Sequence, residues 1–273
     1  MQHKRLKSIL LTTIMIIISL VAFIPFYMMI IMSTHFTEDL YKGPVLLPGE
    51  YLLININTAM QSGLVKFYIN SLIVSVSSTV LCVLVSTMAG YALSKYRYKA
   101  RDKIFTFILL SMMVPSQLGL VAYVIEMRYI GVIRTLYPLI FPWIANAFGV
   151  YWLRQYIGSA VPTDIIESGR IDGCPEYRIL FELVIPCITP ALITLMMLIF
   201  LWSWNSYLLP LVIQNNPDQF TLPIGLSSIG DLYRVDHAAK IAGLTLGTIP
   251  LLIIFSVGSK SFIRGLTAGA IKA

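Results

Sequence analysis

Charge is what this sequence has least of. Only 12% of its 273 residues are Asp, Glu, Lys or Arg, where soluble domains carry about a quarter. Hydrophobic residues make up 57%, and the mean hydropathy is +0.80. Too few charges remain to cover a water-facing surface, so lipid is the solvent for much of the chain. Histidine is nearly absent, and His3, His35 and His237 all lie outside the long apolar runs. The runs hold no H-E-x-x-H pair, no G-x-S-x-G turn and no paired carboxylates, so they offer no intramembrane hydrolytic chemistry. Nor is there a G-x-x-x-x-G-K-[ST] loop, since Gly258-Ser259-Lys260-Ser261 lacks the first glycine at the required spacing. Energy for any active process must therefore come from another chain. Three cysteines (Cys82, Cys174, Cys187) without C-x-x-C spacing imply neither a disulfide framework nor a zinc site. The length suits one membrane domain, 1–273, with no room for a separate soluble enzyme domain.

What is present is a series of uncharged stretches: Ile9–Met32, Phe67–Ser94, Ile104–Ile125, Thr135–Leu153, about 188–213, and Ile241–Ser259. Each approaches or exceeds the ~20 residues that a spanning helix needs. They predict an all-α integral membrane protein with six transmembrane helices, over 9–32, 67–93, 104–125, 135–153, 188–213 and 241–259. The first run outlasts the h-region of a cleaved signal peptide, about 7–15 residues, and reads as a retained span. Orientation follows from Lys and Arg. Fourteen fall in the N-terminus, the 95–103 loop, the 154–178 segment and the C-terminus. Six (Lys42, Lys66, Arg128, Arg134, Arg234, Lys240) fall on the other side. The positive-inside rule places both termini in the cytoplasm. The run Lys95-Tyr96-Arg97-Tyr98-Lys99-Ala100-Arg101 interleaves basic and aromatic residues as some nucleic-acid surfaces do. In a tight loop between spans it reads instead as a topology determinant on anionic lipid, with no nucleic-acid partner. The span cores contain no Asp, Glu, Lys, Arg or His, which disfavours a proton- or sodium-driven transporter. Glu126 is expected at the outer end of the third span, and Glu182 at the inner surface.

The cytoplasmic segment 161–186 is longer than a connector requires. Asp164 and Glu167 have the spacing of a capping box that starts a short helix. Gly173 is suited to a left-handed end, and Pro175 to the first position of a second short helix. Tyr177, Leu180, Phe181 and Val184 then form one apolar stripe, with Arg178 and Glu182 paired at i, i+4. Two short helices meeting at a glycine describe either a rigid knob for a partner or an amphipathic hairpin resting on lipid.

The residues Glu167-Ser168-Gly169-Arg170-Ile171-Asp172-Gly173, with Leu183-Val184-Ile185-Pro186 following, resemble the EAA loop of permease subunits of binding-protein-dependent ABC importers. Ser168 and Gly169 stand where that loop has two alanines. Val114-Pro115-Ser116-Gln117, Arg154-Gln155-Tyr156, Trp204 to Leu211, Thr221 to Leu226 and Gly265 to Lys272 resemble the carbohydrate-uptake branch, on the side of the maltose-type second permease. The resemblance implies the type I importer permease fold in a bacterial cell membrane. Its implied partners are a homologous second permease, two ATP-binding subunits that hold the ATP and Mg, an extracytoplasmic solute-binding protein, and a sugar. No cofactor is implied in this chain. Glu167, Ser168, Gly169, Arg170, Asp172 and Gly173 are the implied ATPase-coupling residues. For the sugar path, the polar and aromatic cluster Trp202 to Tyr207 is the natural place to look, because polar groups in embedded helices face the bundle interior. Six consecutive positions cannot all face one path, and the candidates taken are Trp202, Asn205 and Ser206, with Asn146 from the fourth span. The external loop 214–239, with Asp218, Asp231, Tyr233 and Asp236, is expected to meet the binding protein. A channel or secondary transporter without an ATPase is the second reading, and co-purification of an ATPase discriminates the two.

Overall fold

The computed structural model of the protein describes residues 2–230 and 236–270. Asp231, Tyr233, Arg234 and Lys272 lie outside the described residues. Among the described residues all regular structure is helical. In chain order the α-helices are α1 (Gln2–Met32), α2 (Thr37–Lys42), α3 (Leu52–Gln61), α4 (Leu64–Lys95), α5 (Arg101–Met112), α6 (Leu120–Tyr129), α7 (Tyr137–Ile144), α8 (Ala147–Ala160), α9 (Thr163–Ile171), α10 (Glu176–Arg178), α11 (Ile185–Trp204), α12 (Leu208–Ile213), α13 (Leu222–Ser227) and α14 (His237–Ala270). A π-helical turn over Ile179–Val184 joins α10 to α11, and a 3-10 turn over Ser116–Gly119 precedes α6.

Among the described residues, four continuous helical stretches are long and apolar enough to cross a bilayer: Lys7–Met32, Leu64–Lys95, Glu176–Trp204 and His237–Lys260. The other two expected spans are not continuous helices. The expected 104–125 span is the pair Arg101–Met112 and Ser116–Tyr129, bent by 86°. Pro115 explains the break: it has no N–H to donate and drives the residue before it out of the helical region. The expected 135–153 span breaks between α7 and α8, where Ala145 leaves helical geometry and Asn146 is extended. Asn146 Oδ1 accepts the Gly149 N–H at 2.9 Å and so starts a new helix. The expected 188–213 span begins earlier, at Glu176, and stops at Trp204; α12 resumes after Tyr207.

The chain forms two compact units, Met1–Val65 with Gly225–Ile249, and Lys66–Ile224 with Pro250–Ala273. In the first, the turn after α1 is fixed by Asn55, whose Nδ2 donates to the Ser33 and His35 carbonyls at 2.8 and 2.7 Å. There Thr37 Oγ1 donates to Asp236 Oδ1 at 2.7 Å, and Asp236 accepts the Ala239 N–H at the start of α14.

The second unit has a core of Cys82, Leu153, Ile157, Ile179, Val184, Ile188, Leu195 and Ile199, all fully buried. Between apolar helices in lipid the hydrophobic effect is weak, and close approach at small residues supplies the attraction. Here α4 and α8 meet that way. A Cβ on Gly90 would sit 2.9 Å from the Arg154 backbone nitrogen, and one on Gly149 would sit 2.5 Å from Ser86 Oγ. The buried face of α4 is correspondingly polar and small (Ser71, Ser75, Ser78, Ser86), while Val76, Val80, Leu84 and Met88 are exposed.

The 161–186 segment departs from the expected pair of short helices. Pro162, extended at φ −60° and ψ 141°, caps α9 without a side-chain hydrogen bond. Asp164 lies in the first turn, where its charge suits the helix dipole, and no capping box forms. Pro175 is the cap before α10 rather than its first residue. There is no separate second helix, because α10 runs through the π turn into α11. The wider π turn also breaks the predicted stripe. Tyr177 and Phe181 are 65% and 54% exposed, whereas Ile179, Leu180 and Val184 are buried. The expected Arg178–Glu182 pair is present at 3.2 Å.

Candidate functional site

The three helix breaks of the second unit converge on one cavity of about 800 Å3. Ser116 and Gln117 enter from the turn after Pro115. Trp143 and Asn146 come from the α7–α8 break, and Ser206 and Tyr207 from the unwound stretch after α11. Trp202 completes the wall one turn before Ser206. Its ring is set by an aromatic chain: Phe148 lies edge-on at 5.3 Å, Phe148 stacks on Trp152 at 6.2 Å, and Trp152 Nε1 donates to the Ala191 carbonyl at 3.0 Å. Irregular backbone at membrane depth is tolerated where it lines a cavity, and that is where all three breaks lie.

Of the sequence candidates, Trp202, Ser206 and Asn146 line this cavity, and Asn205 does not. Asn205 closes α11 as its C-cap, with Nδ2 donating to the Leu201 carbonyl at 2.9 Å. Ser203 and Trp204 are buried in protein, and Trp204 packs on Phe200 and Tyr68 at 5.6 and 5.4 Å. Asn146 lines the cavity while its oxygen caps α8.

Sequence reasoning missed Gln117, Trp143 and Glu126. Glu126, expected at one end of a straight span, lies on α6 beyond the bend and lines the cavity. The signal available was the set of helix breakers inside apolar runs: Pro115, Pro142 and the Asn205-Ser206 pair. Broken membrane helices mark binding sites because they expose backbone and polar side chains at depth.

The second candidate region is the α9 loop. Gly173 has φ +73°, and the Cys174 and Gly173 N–H groups bond to the Gly169 and Arg170 carbonyls at 3.0 and 3.1 Å. This is a Schellman ending, and only glycine takes its left-handed position without strain. Gly169 is buried. A Cβ there would meet Leu183 Cδ1 at 3.0 Å and Ile179 Cγ1 at 3.3 Å, so α9 rests directly on the π turn. Arg170 donates to Glu176 Oε1 at 2.6 Å, and the Tyr91 hydroxyl donates to Glu176 Oε2 at 2.8 Å. The Arg170 guanidinium also lies 5.4 Å from the Tyr96 ring centroid. Burial, with the Glu176 carboxylate adding to it, pushes the Tyr96 phenol up. Lys95 Nζ donates to the Val161 carbonyl at 2.5 Å and pins the start of the loop. Glu167, Ser168, Ile171 and Asp172 face outward, with Ile171 86% exposed. The six predicted coupling residues therefore divide: Gly169 and Arg170 bind the loop to the chain's own helices, Gly173 shapes its turn, and Glu167, Ser168 and Asp172 are presented outward.

Residues 83–268 match the family model described as the binding-protein-dependent transport system inner membrane component. The chain belongs to that family. Among its relatives, the arabinooligosaccharides transport system permease protein AraQ of Bacillus subtilis (strain 168) is 36% identical over 207 residues, covering 76% of this chain and 73% of AraQ. The lactose transport system permease protein LacG of Rhizobium radiobacter is 28% identical over 271 residues, covering 99% and 98%. In structure the permease superposes on a chain of a bacterial ABC transporter involved in importing the acidic polysaccharide alginate. The TM-score is 0.80 at 22% identity, over 96% of this permease and 98% of that chain. The permease thus has the ABC importer permease fold and is a multi-pass membrane component of a transport system rather than an enzyme. Both the cavity and the α9 loop fall inside the matched stretch.

Proposed function

We propose that this permease is one of two homologous membrane subunits of an ATP-driven, binding-protein-dependent importer of sugars or oligosaccharides, and that the cavity is its share of the path. The observation that carries the reading is the wall chemistry: indole rings of Trp143 and Trp202 beside the amides of Gln117 and Asn146 and the hydroxyls of Ser116 and Ser206. Aromatic faces stack on the C–H faces of a sugar ring, and a few placed polar groups fix its hydroxyls. The substrates named for the relatives, arabinooligosaccharides and lactose, agree with it.

The outward face of α9 (Glu167, Ser168, Ile171, Asp172) enters a groove of one of two ATP-binding subunits, which hold the ATP and Mg. Gly169 and Arg170 brace it from behind, and Gly173 sets its end. Closure of the ATPase pair shifts the spans from inward-facing to outward-facing, a population shift biased by nucleotide. The chain makes six passes in this reading, with both termini in the cytoplasm of a bacterial cell on the strength of the Lys and Arg bias, and the 214–239 loop towards an extracytoplasmic solute-binding protein. The test is reconstitution. With partner permease, ATPase and binding protein in liposomes the chain should import sugar on ATP, and Trp202→Ala should cut uptake by about tenfold or more, the scale of losing a stacking anchor. Uptake by the isolated chain on a sodium or proton gradient would sink the proposal.

A further inference from the structure

Among the described residues, Glu126 is the one charged side chain in the cavity wall, and no Lys, Arg or His lines it. Among the described residues its carboxylate has neither an ion-pair nor a hydrogen-bond partner. The nearest hydroxyl in sequence on its helix face, that of Tyr123, is spent on the Pro138 carbonyl at 2.7 Å. A cavity wall with an unspent carboxylate and no cation has a definite preference. An ionised carboxylate only accepts hydrogen bonds, at two oxygens. It therefore suits a ligand that brings donors, either sugar hydroxyls or an ammonium group, and it repels a second carboxylate. Like charges brought together disfavour a bound partner, and because Glu126 is exposed the penalty is screened by salt and largest at low ionic strength.

We infer that this cavity is a subsite for neutral or amino-bearing saccharides, and that Glu126 rejects uronate-containing ones. The inference rests on the cavity being the sugar path. The fold does not decide the charge of the cargo, since a chain of the same fold serves an importer of the acidic polysaccharide alginate. The lining decides it, and here the lining is anionic. Trp143 and Trp202 take the apolar faces of a pyranose or furanose ring irrespective of its charge. Glu126 is left as the group that tells a hydroxymethyl or amine from a carboxylate.

The experiment measures binding to the assembled complex of the two permeases and the ATPase, without the solute-binding protein, so that the latter's own selectivity does not enter. Three classes of probe are compared by equilibrium dialysis: maltose, cellobiose and lactose as neutral disaccharides, the disaccharide of glucosamine as a cation, and digalacturonate as an anion. The neutral and cationic probes should bind at least about tenfold more tightly than digalacturonate, in line with a like-charge penalty. Glu126→Gln keeps size and hydrogen-bonding capacity at an exposed position. It should bring digalacturonate to within about twofold of the neutral probes and weaken the glucosamine disaccharide, the change expected from deleting one charge. Equal binding of all probes by the wild type, or an unchanged ratio in Glu126→Gln, overturns the charge selection while neutral binding that Trp202→Ala abolishes keeps the path. Absence of binding by every neutral probe overturns the path reading and this inference together.

Discussion

At the scale of single residues, Glu176 is the side chain on which the α9 loop depends. One of its oxygens takes the Arg170 guanidinium at 2.6 Å and the other the Tyr91 hydroxyl at 2.8 Å. It thereby links the loop to the end of α4 through two charge-assisted hydrogen bonds, which are shorter and stronger than neutral ones. Gly169 makes the complementary contact, since no side chain stands between α9 and the π turn. A push on the outer face of α9 should therefore reach α4 and α11 through a stiff joint. Glu176→Gln keeps the shape and removes the charge. The complex should assemble and hydrolyse ATP, with fewer sugars imported per ATP consumed, and Arg170→Lys should lower the ratio less because it keeps a cation at that position. Pull-down of the ATPase together with that ratio separates loss of coupling from loss of assembly. A wild-type ratio in Glu176→Gln would show that the joint carries no motion.

At the scale of elements, counting uncharged residues located every apolar stretch and was blind to where each one breaks. Hydropathy sums over a window, so Pro115, Asn146 and Asn205 vanish inside apolar totals although each sits at a helix break. Three cavity-lining residues were legible because Trp202, Ser206 and Asn146 are polar or amphipathic in apolar surroundings. Glu126 is exposed, as expected of a residue reachable by water, but its place in the cavity wall was not legible, because a straight α5–α6 would carry it away from the other lining residues. In the loop, Gly173 was legible from backbone chemistry alone. The capping box was not, because Pro162 had already fixed an extended entry to α9. The π turn at 179–184 leaves no mark in composition, and the stripe drawn on a 3.6-residue period holds at the buried Leu180 and Val184 but not at the exposed Tyr177 and Phe181. The 86° bend is itself testable. Pro115→Ala restores a backbone donor and relieves Val114, where a proline inside a helix costs about 3 kcal/mol. It should favour continuation of α5 towards α6, narrow the cavity and lower sugar uptake, while leaving the α9 loop and ATPase binding intact. A distance probe between the two arms by electron paramagnetic resonance reads the bend directly. An unaltered distance would mean that packing rather than Pro115 sets it.

At the scale of the whole molecule, the proposed topology turns on the two ends of α4. Segment 214–222 is stitched down. Lys66 Nζ meets Asp218 Oδ1 at 2.6 Å, and Asn70 Nδ2 donates to the Asp218 and Phe220 carbonyls at 3.0 Å each. Ser71 Oγ accepts the Leu222 N–H at 2.7 Å, and Gln219 donates to the Arg134 carbonyl. The exposed Lys66–Asp218 pair adds little stability by itself. The half-buried Asn70 bonds are what hold this segment as a firm surface next to the α4 N-terminus. The opposite end of α4 leads into the basic run Lys95 to Lys103. These two ends must lie on opposite faces of the membrane if α4, with 32 residues at 1.5 Å each, crosses it. Single cysteines at Asn215 and Lys99, both exposed, test this once Cys82, Cys174 and Cys187 are replaced. A membrane-impermeant maleimide added to intact cells should label position 215 and leave position 99 unlabelled until the cells are opened. Labelling of 99 alone in intact cells would invert the orientation. It would also take the 14-to-6 bias of Lys and Arg to the wrong side and place α9 away from any cytoplasmic ATPase. Labelling of both would mean that α4 does not span, which its length and its lipid-exposed Val76, Val80 and Leu84 argue against.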